Sequence, residues 1–87
     1  KKGRKSRLEK LALESRTMVF YESPHKLLRT LLDFDNFFGS NRKISISREL
    51  TKLYEETLRG CIKEMVAIYI NKKPKGEYVI IVQGKGK

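Results

Sequence analysis

The sequence predicts an α/β fold: one small domain with a mixed sheet of about four strands flanked by helices, in the order α-β-α-β-β-α-β. Three observations predict it. A hydrophobic content of 39 % beside 34 % charged residues fits a folded chain, not a disordered one. Apolar residues recur at helical spacing in three stretches, separated by short alternating or β-branched runs. Finally, 87 residues suffice for one domain, which buries roughly 60–65 % of its unfolded surface.

The elements follow in order. Residues 4–15 place Leu8, Leu11, Ala12 and Leu13 among basic residues at helical spacing. Met18-Val19-Phe20-Tyr21 is an apolar, aromatic run that reads as a buried strand. Ser23-Pro24 is a helix-start signal, because serine accepts bonds from free N–H groups and proline fits the first helical position. Leu27, Leu28, Leu31, Leu32, Phe34, Phe37 and Phe38 continue as an apolar stripe, and Gly39 supplies the stop. Ile44 and Ile46 alternate with Ser45 and Ser47, a half-buried strand pattern. Glu55 to Arg59 reads as a further extended segment that Gly60 breaks. Ile62, Met65, Val66 and Tyr69 return to helical spacing, and residues 72–76 form a basic turn. Tyr78-Val79-Ile80-Ile81-Val82 is the strongest strand signal, a continuous and β-branched run.

Composition removes several function classes. The single Cys61 excludes an internal disulfide and a multi-cysteine metal site, and suits a reducing, cytoplasmic setting. No apolar run approaches the ~20 residues of a membrane span, and no signal-peptide pattern is present. The start at Lys1, without an initiator methionine, fits a piece of a longer protein. The formal charge of +10 sits at the ends. Lys1, Lys2, Arg4, Lys5, Arg7 and Lys10 against Glu9 leave +5 in the first ten residues. Lys72, Lys73, Lys75, Lys85 and Lys87 against Glu77 leave +4 in residues 71–87. Such ends favour a polyanion by counterion release, or else form solvated tails.

Two charged runs stand where strands end, the position ligands favour in α/β sheets. Glu22, Ser23 and His25 occupy a strand-to-helix junction, where free helix N–H groups attract anions; Ser23 as a simple helix cap is the plainer alternative. Arg48, Glu49 and Lys52 suit phosphate and ribose contacts, or an internal ion pair. Glu55-Glu56 with Arg59 suits a cross-strand charge ladder. There is no P-loop, dinucleotide glycine fingerprint, zinc spacing or nucleophile elbow. By its residues alone the chain is a basic α/β module without a self-contained catalytic set.

The string Arg16-Thr17-Met18-Val19-Phe20-Tyr21-Glu22-Ser23-Pro24-His25-Lys26-Leu27 resembles the tetrapyrrole (corrin/porphyrin) methylase family, and within it the branch that methylates ribosomal RNA. Arg48-Glu49-Leu50-Thr51-Lys52, Glu55-Glu56, Arg59-Gly60 and Gly76-Glu77-Tyr78 with the aliphatic run after it carry the same resemblance in the same order. Lys26 departs from it, since the branch commonly has arginine there. The resemblance implies a two-domain, S-adenosylmethionine-dependent methyltransferase acting on a cytidine ribose 2′-hydroxyl of small-subunit ribosomal RNA. Residues 1–15 would be a basic linker and helix, and residues 16–87 the C-terminal domain, with the N-terminal domain absent and the fragment inactive alone. It implies cofactor contacts at Glu22, Leu50, Glu77 and Tyr78, and RNA contacts at Ser23, Lys26, Arg48, Lys52 and Arg59. His25 and Glu49 are the candidate catalytic bases. Implied partners are ribosomal RNA, the missing N-terminal domain and a homodimer mate, with no membrane. The alternatives are a tetrapyrrole methylase and a non-catalytic RNA-binding module.

Overall fold

The structure, a computed structural model, describes residues 2–51 and 54–87, and among these the side chains of all but 2, 50, 51, 54 and 55. Three helices and four strands follow in the expected order: α1 (Lys2–Ala12), β1 (Met18–Glu22), α2 (Leu27–Phe38), β2 (Lys43–Thr51), β3 (Tyr54–Cys61), α3 (Ile62–Tyr69) and β4 (Glu77–Val82).

The strands form one sheet in the order β1-β4-β2-β3. All three pairings are antiparallel, which corrects the expected mixed sheet. The reason is where β4 goes. β1 and β2, joined through α2, run in the same direction, but β4 inserts between them and runs the opposite way. No parallel neighbours arise. The helices form one layer. The core gathers Leu27, Leu31, Phe34 and Phe38 of α2, Ile62, Met65 and Tyr69 of α3 and Leu8 of α1 against Met18, Ile44, Ile46, Tyr78, Ile80 and Val82 of the sheet. The helices therefore back a single face. On the other, Val19, Tyr21 and Ile81 stay 53 %, 79 % and 38 % exposed. Each fully buried aliphatic side chain contributes about 1.5–3 kcal/mol, so the inner-face residues dominate the stability.

α2 shows why pattern and boundary differ. Its buried face, Leu27-Thr30-Leu31-Phe34-Phe38, follows the 3.6-residue period. Phe34 packs 4.8 Å from the Phe20 ring and 4.7 Å from Phe38. Leu32, placed in the stripe by sequence, is 45 % exposed. The helix starts at Leu27 with Lys26 at the N-cap and no side-chain cap bond, so Ser23 is not the cap. Residues 23–26 close a separate turn instead, with the Lys26 N–H donating to the Ser23 carbonyl (3.2 Å). Gly39 ends the helix at φ +101°, a conformation that side chains rarely adopt.

β2 runs to Thr51, four residues past the alternation at 44–47, so Arg48 and Glu49 lie within a strand and not beyond its end. β3 likewise passes through Gly60 to Cys61. Gly60 does not break the strand. It makes room for the Glu64 carboxylate, which would lie 2.5 Å from an added Cβ. That carboxylate accepts the Cys61 N–H (2.8 Å) as half of a capping box that starts α3. α1 ends at Ala12, short of residue 15, and Leu13 points outward at 66 % exposed. Arg42 then binds the layers together, donating to the Ala12 carbonyl (3.0 Å) and the Gln83 carbonyl (3.1 Å) above the Phe38 ring.

Candidate functional site

Antiparallel register brings the charged runs to one end of the sheet. Glu22 of β1 pairs with Tyr78 of β4, Tyr78 with Arg48 of β2, and Arg48 with Glu56 of β3. These four make one row across the helix-covered face. Just beyond, on the opposite face, Glu77 pairs with Glu49, and Glu49 with Glu55. The turn carrying Ser23, His25 and Lys26 leaves β1 at the same end.

Each group in the row has a defined environment. One Glu22 oxygen accepts the Ser23 N–H (2.9 Å) and the other the Thr30 hydroxyl (2.6 Å). The carboxylate thus ties β1 to α2, leaving the backbone as Glu22's free contribution to a ligand. Arg48 lies 3.3 Å from Glu56, with its side chain only 20 % exposed, so the ion-pair reading of this arginine is realised across the β2–β3 ladder. Tyr78 is 1 % exposed, and its hydroxyl accepts the Lys75 N–H (3.2 Å). Its ring meets Tyr69 edge-on at 5.9 Å. Burial, reinforced by the neighbouring Tyr78 and Glu56, pushes the Tyr69 hydroxyl up to about 12.

His25, Lys26, Glu49 and Glu77 are exposed. β1 and β2 stand two strand spacings apart, about 10 Å, so the turn holding His25 and the strand holding Glu49 approach the sheet end from separate directions. Arg59 does not join them. It pairs with Ser45, three positions from the Arg48–Glu56 row and on the opposite face, roughly 10 Å along the strand. Lys52 lies outside the described residues, and Leu50 is described in its backbone only. That backbone is informative: the β2–β3 register shifts between Glu49 and Thr51. Leu50 is therefore the extra residue of a β-bulge, a device frequent beside ligand sites.

A groove of about 1030 Å³ opens beside this end, between α1, the outer edge of β1 and the start of α2. Leu8, Leu11, Phe20 and Phe34 line it with Arg4, Arg7, Lys26 and Arg29. Arg4 is committed to Asp33 (2.7 Å). Sequence reasoning missed Thr30 and Tyr69 as site-shaping groups. The signal for Thr30 was available, since it is a polar residue set within the apolar stripe of α2. Nothing in the sequence marked Tyr69 as the neighbour of the Arg48–Glu56 pair.

These features define a class: a basic α/β domain whose polar groups crowd one sheet end. Sequence comparison then fixes the kinship. The chain is 41 % identical over 93 % of its length to a protein of Synechocystis named ribosomal RNA small subunit methyltransferase I. It is 42 % identical over 97 % to the protein of that name in Thermotoga maritima, and 48 % over 99 % to that in Halalkalibacterium halodurans. It is thus a homologue of these methyltransferases, and it spans 29–37 % of the length of these three. No family model matches it.

Proposed function

We propose that this chain is the C-terminal domain of a two-domain methyltransferase that methylates a cytidine ribose 2′-hydroxyl of small-subunit ribosomal RNA, using S-adenosylmethionine. One observation carries the reading: relatives at 41–48 % identity over nearly the whole chain all bear the ribosomal RNA methyltransferase name. The convergence of Glu22, Glu49, Leu50, Glu77 and Tyr78 on one sheet end supports it. The domain alone is expected to be inactive, because it holds only part of the site.

The residues present suit such a cofactor through backbone and carboxylates. The end of β1 at Glu22 and the bulge at Leu50 offer main-chain groups, and Glu49 and Glu77 offer negative charge toward a sulfonium or amino group. The Tyr78 ring is enclosed in the core, so its share is confined to the main chain. Bound S-adenosylmethionine supplies an activated methyl group. What remains for the protein is alignment of the attacking hydroxyl and removal of its proton. His25 or Glu49 would take that proton, each being exposed at the sheet end. Lys26 and Ser23 would place the adjoining phosphates, and Arg59 a more distant one. Arg48 would act from the row behind by holding Glu56.

The test is methylation of small-subunit ribosomal RNA by the protein extended to the length of its relatives. Methyl transfer to a ribose 2′-oxygen makes the following phosphodiester bond resistant to alkali, because the attacking hydroxyl is gone. One alkali-resistant linkage after a cytidine is expected. A methyl group on a base, or none on RNA, would overturn the assignment.

A further inference from the structure

We infer that the groove around the edge of β1 docks an unpaired stretch of RNA, with Tyr21 stacking on one base and Arg7 and Arg29 holding phosphates beside it. The groove reaches both sides of this edge strand. Phe20 and Glu22 line it from the helix-covered side, Val19 and Tyr21 from the open side.

Three kinds of group in the groove are unspent. The first is an aromatic ring. A buried tyrosine hides its ring and finds a partner for its hydroxyl, as Tyr78 does with the Lys75 N–H. Tyr21 is instead 79 % exposed and makes no hydrogen bond or ring contact among the described residues. The second is positive charge. Arg4 is tied to Asp33, but Arg7, Lys26 and Arg29 have no ion pair among the described residues. Glu22, the one carboxylate lining the groove among the described residues, already accepts the Ser23 N–H and the Thr30 hydroxyl. The third is backbone. Among the described residues β1 pairs only with β4, so its outer edge offers main-chain donors and acceptors.

Together these three choose the occupant. A simple anion answers the cations and leaves the ring unused. An acidic peptide answers the cations and the strand edge, but brings no flat face to Tyr21. An unpaired RNA strand meets all three, with phosphates for the cations, a base face for the ring and a base edge for the main chain. A duplex fails, because its base faces are already stacked on one another. Lys26 lines the groove and also stands in the turn at the sheet end, so a strand held here runs on toward that end. This docking rests on the proposed RNA substrate and adds the path the strand takes to reach it.

The experiment is fluorescence anisotropy of a labelled oligouridylate carrying one 5-iodouridine, titrated with the 87-residue chain from low salt upward. Tyr21, Arg7 and Arg29 are exposed, and thermal melts check that Tyr21→Ala, Tyr21→Phe and R7A/R29A fold. Tyr21→Ala should weaken binding by about 5- to 150-fold, whereas Tyr21→Phe keeps the stacking face and the affinity. R7A/R29A should flatten the slope of log affinity against log salt by about 1.4, the loss of two phosphate contacts on a single strand. Irradiation should cross-link the iodouridine to Tyr21. No binding at low salt overturns the inference, as does Tyr21→Ala binding like the unmodified chain. Inorganic polyphosphate or oligoglutamate bound as tightly, with the same dependence on Tyr21, also overturns it. Neither cofactor nor methyl transfer enters these readings, so failure here is distinct from failure of the alkali-resistance test.

Discussion

Thr30 donates its hydroxyl to Glu22 from a position 6 % exposed, in the middle of an otherwise apolar helix face. A lone buried hydroxyl is tolerated there because the Glu22 carboxyl accepts its hydrogen bond at 2.6 Å. Replacing it with valine keeps the shape but leaves one carboxylate oxygen without that bond. Thr30→Val should lower stability by about 1–3 kcal/mol in urea unfolding. Tyr69 makes a second residue-scale prediction. Its hydroxyl is held neutral up to about 12, above the usual value of 10. The folded state therefore gains stability that is complete below pH 10 and fades as pH rises from 10 toward 12. Tyrosinate absorbance should show a late-titrating component in that window, missing from Tyr69→Phe. The signs of these two residues in the sequence were unequal. Thr30 interrupts a helical stripe and can be noticed, whereas the environment of Tyr69 exists only once α3 has been laid over β2, β3 and β4.

Elements hold together here through a few polar stitches at their ends. Arg42 satisfies carbonyls from the end of α1 and from just beyond β4, so Arg42→Ala should cost about 2–4 kcal/mol, read from the denaturant midpoint. α3 depends on the Cys61–Glu64 capping box. The Cys61 amide holds the Glu64 carboxyl below its usual 4.5, so this contribution is complete above 4.5 and is lost as the pH falls further, through the lowered value. The stability difference between the unmodified chain and Glu64→Gln should accordingly shrink on acidification. Element types and order were legible from hydrophobic period and turn residues. Boundaries were not. Ser23-Pro24 reads as a helix start, but Glu22 takes the Ser23 N–H and delays α2 to Leu27. Gly60 reads as a breaker, yet its missing side chain admits the cap of the next helix. In both cases a nearby carboxylate decided, Glu22 one residue before the turn and Glu64 four residues past the glycine, and hydrophobic period alone does not register such bonds.

At the scale of the molecule, the sheet end gathers residues that are 26 or more positions apart in the chain, from Glu22 to Arg48 and Tyr78. Their types and order suggested a site; their faces did not emerge from sequence. Arg48 and Arg59 illustrate this, since an interval of eleven residues across a hairpin put them on opposite sides of the sheet. The proposed function predicts that calorimetric titration of S-adenosylmethionine into the 87-residue chain gives little heat, while the protein at its relatives' length binds. Tight binding by the short chain would place the cofactor wholly within it.

The central position of β4 has a consequence for when this domain can exist. The sheet is closed by its last strand, inserted between β1 and β2, and Met18 finds its partner only at Val82. A chain emerging from the ribosome can form α2 and the β2–β3 hairpin early, but β1 must wait with its apolar side chains in water until residues 77–82 arrive. Such distant pairing is slow to close and leaves strand edges open to wrong partners in the interval. Loss of those six residues would therefore remove the seam of the sheet and not merely its margin.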